Sequence, residues 1–122
     1  NFMGVLMTYG LREFTRISEF LGVSPKTIYG IAGLGDMIAT CLSPDSRNRK
    51  FGLMLGRGEE PESALRHVGR GGEGGQMAKT IVELENLNIP IPLFATIAKI
   101  IFEPNGHLPK KFISCLQQYQ TS

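Results

Sequence analysis

An all-α domain of about six to eight helices is the fold this sequence predicts, on three observations. Apolar residues recur at spacings of three and four along nearly the whole chain, the period of one helix face. Glycine, proline and Ser-Pro steps cut those runs into lengths of a few helical turns. The apolar–polar alternation of a half-buried strand survives nowhere, and the sequence holds neither an internal repeat nor a low-complexity tract.

In the first helix, Met3, Leu6, Met7, Gly10, Phe14, Ile17 and Leu21 define the apolar face, and Arg12, Glu13, Arg16 and Glu19 take the other side. Gly22 suits its stop. Ser24 and Pro25 have the chemistry of an N-cap and a first turn, so a short helix follows to about Tyr29. Leu34, Met37, Ile38, Cys41 and Leu42 make a third apolar stripe, and Ser43 with Pro44 restarts the chain as a fourth helix through Leu55, ended by Gly56 and Gly58. Glu59, Glu60 and Pro61 are first-turn residues of a brief helix to His67 or Val68, because acids stabilise the positive end of the helix dipole. Gly69 to Gly75, with five glycines around Arg70 and Glu73, reads as a loop. Met77, Ile81, Leu84 and Leu87 define the next helix, which Asn88 to Pro92 breaks. Leu93 to Phe102 forms another, and Pro104, Asn105 and Gly106 turn the chain into a last helix from about Pro109 to Tyr119.

At 122 residues, 42% hydrophobic and 20% charged, the chain has the content of one globular domain with a core of its own. A formal charge of only +2 argues against a broad nucleic-acid face and makes any basic function local. Cys41 and Cys115 lie far apart without metal-ligand spacing and read as reduced, buried thiols of a cytoplasmic protein, and no metal site is expected. No apolar run reaches the ~18 residues of a membrane span, so no membrane insertion is expected. The chain opens at Asn1, inside a helical pattern and without methionine, which reads as a fragment of a longer protein.

Chemistry concentrates between Gly33 and Gly58, where carboxylate, hydroxyl, guanidinium and amide groups sit between apolar runs. Asp36 and Thr40 are four apart, so on a helix they stack one turn above the other on one face. A carboxylate and a hydroxyl so placed can orient an ammonium; equally, Asp36 can cap the helix. Past Pro44, Arg47 and Asn48 sit in the first turn of the next helix, where unpaired backbone N–H groups attract an anion. The arginine fork matches phosphate oxygens, and the Ser46 hydroxyl and Asn48 amide can complete a cage. The alternative is a solvated basic turn of Arg47, Arg49 and Lys50, and the neighbouring Asp36 and Thr40 favour the ligand site. The string GRGGEGG fits neither the Walker pattern nor a dinucleotide fingerprint and reads as a hinge. His67 and His107 read as surface and turn residues, and Met3, Met7, Met37, Met54 and Met77 as core packing.

The order GLGD, TC, SRNR and FG closely resembles the substrate-domain signature of the NAD(P)-dependent glycerol-3-phosphate dehydrogenase family. The opening NFMGVLMTYGL, the glutamate–glycine at Glu73 and Gly74, and the I-P-I-P step from Ile89 to Pro92 extend the resemblance over nearly the whole chain. It implies a C-terminal helical substrate-binding domain over residues 1–122, like that of 6-phosphogluconate-dehydrogenase-like enzymes, following a Rossmann domain that this chain lacks. It also implies interconversion of dihydroxyacetone phosphate and sn-glycerol 3-phosphate with NAD or NADP, the cofactor bound mostly by the missing domain, in a cytoplasmic enzyme feeding glycerophospholipid synthesis. By the same resemblance Asp36 and Thr40 position a catalytic lysine absent from this chain. Asn1, Asp36, Ser46, Arg47 and Asn48 bind a three-carbon phosphate, and Arg47, Asn48 and Glu73 contact the dinucleotide. The glycine-rich sequence before Glu73 departs from the family's pattern. Phe2, Met3, Val5, Leu6 and Met7 make the opening helix apolar nearly all round, which predicts an exposed face where the missing domain docks, and self-association, with a homodimer as the expected assembly.

Two rivals stand beside it. A small helical module gripping an anionic partner such as RNA predicts affinity for polyanions that falls by about a decade or more over a severalfold rise in salt. The helical domain of another dehydrogenase, acting on 2-hydroxy acids, predicts no preference for a three-carbon phosphate.

Overall fold

The computed structural model describes residues 2–70 and 74–102, of residues 74–78 and 102 the backbone alone. Among them are seven α-helices and one π-helical turn, and no strand, as the periodicity predicts. The helices are α1 (Phe2–Phe20), α2 (Pro25–Tyr29), α3 (Asp36–Leu42), α4 (Arg47–Gly56), α5 (Pro61–His67), α6 (Gly74–Asn86) and α7 (Pro92–Phe102). The π turn, Ile31–Gly35, joins α2 to α3. The last helix expected from the sequence, with Cys115 and His107, lies outside the described residues.

Helix α1 packs against α2 and α7, and α6 packs against α7. The buried apolar side chains are concentrated on α7 and the residue before it: Ile91, Leu93, Ala95, Ile100 and Ile101, joined by Ile28 of α2 and by Ala64 and Leu65 of α5. Leu93 is packed by Leu6 and Tyr9 of α1 and by Ile97. From this support the π turn, α3, α4 and α5 follow in chain order, each against its neighbour.

Glu13 is the largest departure from the predicted faces, for it is fully buried at 0% exposure instead of lying on a polar side. Its two carboxylate oxygens accept hydrogen bonds from the backbone N–H groups of Leu93 at 2.7 Å and Phe94 at 2.8 Å. Those are first-turn donors of α7, and Ile91, whose carbonyl accepts the bond from Ala95 N–H, has no side-chain acceptor with which to cap them. Glutamate from α1 therefore does the capping from a distance, aided by the helix dipole. Arg16 adds a second tie, Nη1 donating to the Pro90 carbonyl at 2.6 Å. The face of α1 that turns inward accordingly contains Gly10, Glu13 and Ser18, and Met3, Phe14 and Leu21 of the predicted stripe are exposed. Phe2, Met3 and Val5 are exposed as expected for the opening helix, whereas Leu6 and Met7 are half-buried.

Other boundaries shift for local reasons. The fourth helix begins at Arg47, not at Ser43 and Pro44, because Ser46 is the cap: its Oγ accepts from the Arg49 N–H at 3.3 Å. Residues 43–46 form a turn instead, with Ser43 Oγ accepting from Asp45 N–H and the Ser43 carbonyl accepting from Ser46 N–H. Gly74 and Gly75 belong to α6, so the glycine-rich segment is shorter than the sequence reads. The stripe on α3 is not buried either: none of its residues is, and Cys41, a free thiol, is half-buried.

Candidate functional site

A cavity of about 380 Å³ opens where the end of α3, the 43–46 turn and the first turn of α4 meet. Ala39, Thr40, Ser43, Asp45, Ser46, Arg47, Asn48 and Arg70 line it. Four residues that sequence reading singled out, Thr40, Ser46, Arg47 and Asn48, are thus brought to one place from two helices. Asp36 is not in the lining; Asn1 and Glu73 lie outside the described residues.

Each group arrives by an identifiable local cause. Asp36 follows the π turn without a break: its N–H bonds to the carbonyls of Ile31 and Gly33, and the residue before it has helical φ and ψ of −60° and −48°. No side chain caps α3, so the capping alternative for Asp36 fails. Its carboxylate is exposed and makes no hydrogen bond or ion pair among the described residues. Gly33, at the middle of the π turn, sits so close to α2 that an added Cβ would lie 2.1 Å from the Ile28 carbonyl oxygen. That contact fixes where α3 starts.

Thr40 differs from the threonine and serine hydroxyls of α1. Thr8, Thr15 and Ser18 each donate to the carbonyl four residues back, the default for a helical hydroxyl. The Thr40 hydroxyl makes no such bond and stands half-buried on the cavity wall. Ser46 uses its oxygen as the cap acceptor and keeps its O–H to donate. The backbone N–H groups of Arg47 and Asn48 have no acceptor among the described residues, as expected for the first turn of a helix.

Arg70 is one of the lining residues that sequence reading missed, with Ala39, Ser43 and Asp45. Its Nη1 donates to Asn48 Oδ1 at 3.2 Å, across 22 residues of chain. The only signal was its place at the mouth of the glycine-rich string. Asp45 brings a carboxylate to the same cavity, but its side chain is 93% exposed and pairs with Lys50 Nζ at 3.8 Å, a weak interaction at such exposure. Two guanidinium groups therefore face one solvated, partly neutralised carboxylate. A second cavity, of about 360 Å³, lies on the other side of Arg47 between α4 and the end of α5, lined also by Lys50, Arg57 and the exposed His67. Among the described residues no group of three or more His, Cys, Asp or Glu is placed to hold a metal ion, and no helix is long and apolar enough to cross a membrane.

The arrangement can hold a small anion: backbone N–H donors, an arginine fork, an amide and three hydroxyls surround an open cavity. A family model for the C-terminus of NAD-dependent glycerol-3-phosphate dehydrogenase matches residues 1–113. The glycerol-3-phosphate dehydrogenase (NAD(P)+) of Clostridium acetobutylicum is 42% identical over 112 residues, covering 91% of this chain and 33% of that protein. Its counterpart of the same description in Pseudoalteromonas translucida is 41% identical over 123 residues, covering 100% of this chain and 36% of the relative. The Thermoanaerobacter protein so described is 41% identical over 104 residues, covering 84% and 32%. No solved structure matches the chain. The chain spans about a third of the length of the curated relatives it matches. With the family model covering residues 1–113 and relatives at 41–42% identity, the chain belongs to the NAD-dependent glycerol-3-phosphate dehydrogenase family, in its C-terminal domain.

Proposed function

We propose that this domain holds the phosphate of dihydroxyacetone phosphate or sn-glycerol 3-phosphate in an oxidoreductase that interconverts the two with NAD(P)H. The observation that carries the reading is the cavity at the first turn of α4, where Ser46, Arg47 and Asn48 converge with Thr40. Its volume of about 380 Å³ falls among small-molecule sites, which span about 300–1,000 Å³.

In this reading Arg47 grips the phosphate with a forked pair of N–H donors, while the Ser46 hydroxyl and the Asn48 amide take its remaining oxygens. Anchoring the phosphate fixes the carbonyl carbon at the other end of a three-carbon substrate, converting binding into orientation for hydride transfer. Asp36 and Thr40 steady the lysine ammonium that the family resemblance places elsewhere in the parent protein; an exposed carboxylate and a hydroxyl one turn on, neither with a side-chain partner among the described residues, suit that role. That lysine gives its proton to the developing alkoxide. The reduced nicotinamide, when bound, supplies the hydride. The donor set of Arg47 and Asn48 also fits the phosphate oxygens of a dinucleotide, so these residues would touch it from this side, and Glu73 is the third such contact that the family resemblance implies. Asn1 is a further substrate contact that the family resemblance implies. The free Cys41 thiol accords with a cytoplasmic enzyme, the exposed Phe2, Met3 and Val5 with a homodimer, and the product is a precursor for glycerophospholipid synthesis.

The test is Arg47→Ala in the full-length protein carrying this domain. Losing charge-assisted bonds worth about 1.5–3 kcal/mol each should lower kcat/KM for dihydroxyacetone phosphate on the order of tenfold to a few hundredfold. Activity on the unphosphorylated ketone should change little, because the lost contact was never made. Equal damage to both substrates with circular dichroism unchanged would remove Arg47 as the phosphate ligand and the proposal with it. A steeply salt-dependent affinity for RNA would favour the rival instead.

A further inference from the structure

The Asn48 carboxamide has two ends, and only one can serve an anion: the NH2 donates and the oxygen repels. Nothing within α4 decides which end faces the cavity. Arg70 decides it. A guanidinium has donors and no acceptor, so the hydrogen bond from Arg70 Nη1 at 3.2 Å requires Asn48 to turn its Oδ1 toward Arg70. The Nδ2 is then directed elsewhere, and it has no partner among the described residues. Both side chains line the same cavity.

Arg70 is itself held in place by backbone geometry. Helix α5 ends with the Gly69 N–H bonded to the Arg66 carbonyl at 3.1 Å and the Arg70 N–H bonded to the Leu65 carbonyl at 2.8 Å. Those two bonds form a Schellman closure, which requires the left-handed residue found at Gly69, φ +76°. Leu65 is a core residue at 5% exposure. The backbone of Arg70 is therefore tied to the interior, while its side chain reaches the opening turn of α4.

We propose that Arg70 is a positioning residue of the anion cavity, acting through Asn48: it fixes the carboxamide with its NH2 available to the substrate phosphate. The inference rests on the phosphate-binding reading of the cavity and adds to it a residue from a different helix pair, α5 and the segment after it. It assigns a function to the first charged residue of the GRGGEGG string, which otherwise reads as a hinge.

A double-mutant cycle in the full-length protein tests it, with KM for dihydroxyacetone phosphate and the inhibition constant of inorganic phosphate as readouts. Arg70→Ala should raise both about three- to tenfold, KM moving more than kcat, because a freely rotating carboxamide presents the wrong end part of the time and loses its pre-organisation. In an Asn48→Ala background the same Arg70→Ala change should add less than about twofold, since there is no carboxamide left to orient. Arg70→Gln, which keeps N–H donors, should recover most of the loss. If the Arg70→Ala effect multiplies with that of Asn48→Ala, Arg70 meets the anion directly and the positioning role is wrong; if Arg70→Ala has no effect, it is wrong as well. Arg47→Ala run in parallel separates the two claims. Loss of phosphate discrimination there, together with independent Arg70 and Asn48 effects, sinks only the role of Arg70. Retained discrimination in Arg47→Ala sinks the cavity reading itself.

Discussion

Removing the carboxylate of Glu13 should unfold the end of the domain that carries the core of α7. Glu13 is fully buried, and its two oxygens accept from Leu93 and Phe94 N–H at 2.7 and 2.8 Å. A hydrogen bond to a charged group is worth about 1.5–3 kcal/mol net, and a buried donor stranded without an acceptor costs about 1–3 kcal/mol. Glu13→Ala strands two such donors at once and opens a cavity the size of the lost side chain, so about 3–5 kcal/mol is expected. A native domain holds only about 5–15 kcal/mol in total, which makes this a large fraction. For a domain of this size the loss corresponds to a fall in Tm of roughly 10–25 °C. Glu13→Gln is the informative control. It keeps one acceptor oxygen and sets an NH2 against the other backbone donor, so it should fall between wild type and Glu13→Ala. Urea denaturation of the chain followed by far-UV circular dichroism measures both. A loss under about 1 kcal/mol in Glu13→Ala would refute the reasoning, because the helix would then be capped well enough without Glu13. Glu13→Gln at wild-type stability would refute the role of the second oxygen.

Two further changes probe what positions the cavity. Gly33→Ala would place a methyl 2.1 Å from the Ile28 carbonyl oxygen and 2.7 Å from two more backbone atoms, so the π turn must move away from α2. A destabilisation of about 2 kcal/mol or more is expected by thermal melting, and an effect under ~0.5 kcal/mol would show that the turn yields freely. Gly69→Ala forces a left-handed alanine at φ +76°, costing about 1–2 kcal/mol in a denaturant titration with the helical circular dichroism retained. An unchanged midpoint would remove the Schellman closure as the anchor of Arg70.

The existence and order of the helices were legible because each carries a period and a stop in its own few residues. Gly22, Gly58 and Gly69 all adopt positive φ at helix ends, as does Asn88, the one described non-glycine residue that does. What the sequence hid was non-local. Glu13 reads as polar surface because its partners are 80 and 81 residues away, and no local pattern distinguishes a buried cap from a solvated acid. The start of α4 was misplaced because Ser43-Pro44 and Ser46 both offer cap chemistry; the structure gives the 43–46 segment to a turn and the cap to Ser46. Of the candidate site, the cluster Thr40, Ser46, Arg47 and Asn48 was legible from two short helical spacings. Arg70 was not, for its contact to Asn48 depends on how α5 folds back beside α4.

The first turn of α4 shows why these residues stand where they do. Helix α5 follows the rule of the dipole, with Glu62 in its first turn and Arg66 and His67 in its last. Helix α4 breaks it: Arg47, Arg49 and Lys50 crowd the positive end, and its first turn holds no acid. Each misplaced cation costs about 0.3–1 kcal/mol at an exposed terminus. Arg47 and Lys50 are exposed, so glutamate at either position would cost nothing in packing and would favour the helix. The pair from Lys50 to Asp45, at 3.8 Å and half-exposed or more on both sides, returns little of that cost. A local rule broken without compensation among the described residues is what the proposed anion site would explain. The same turn leaves two backbone N–H groups open and borders the cavity. Charge, unpaired donors and open space therefore coincide at Arg47 and Asn48, the three features that the proposed phosphate site needs.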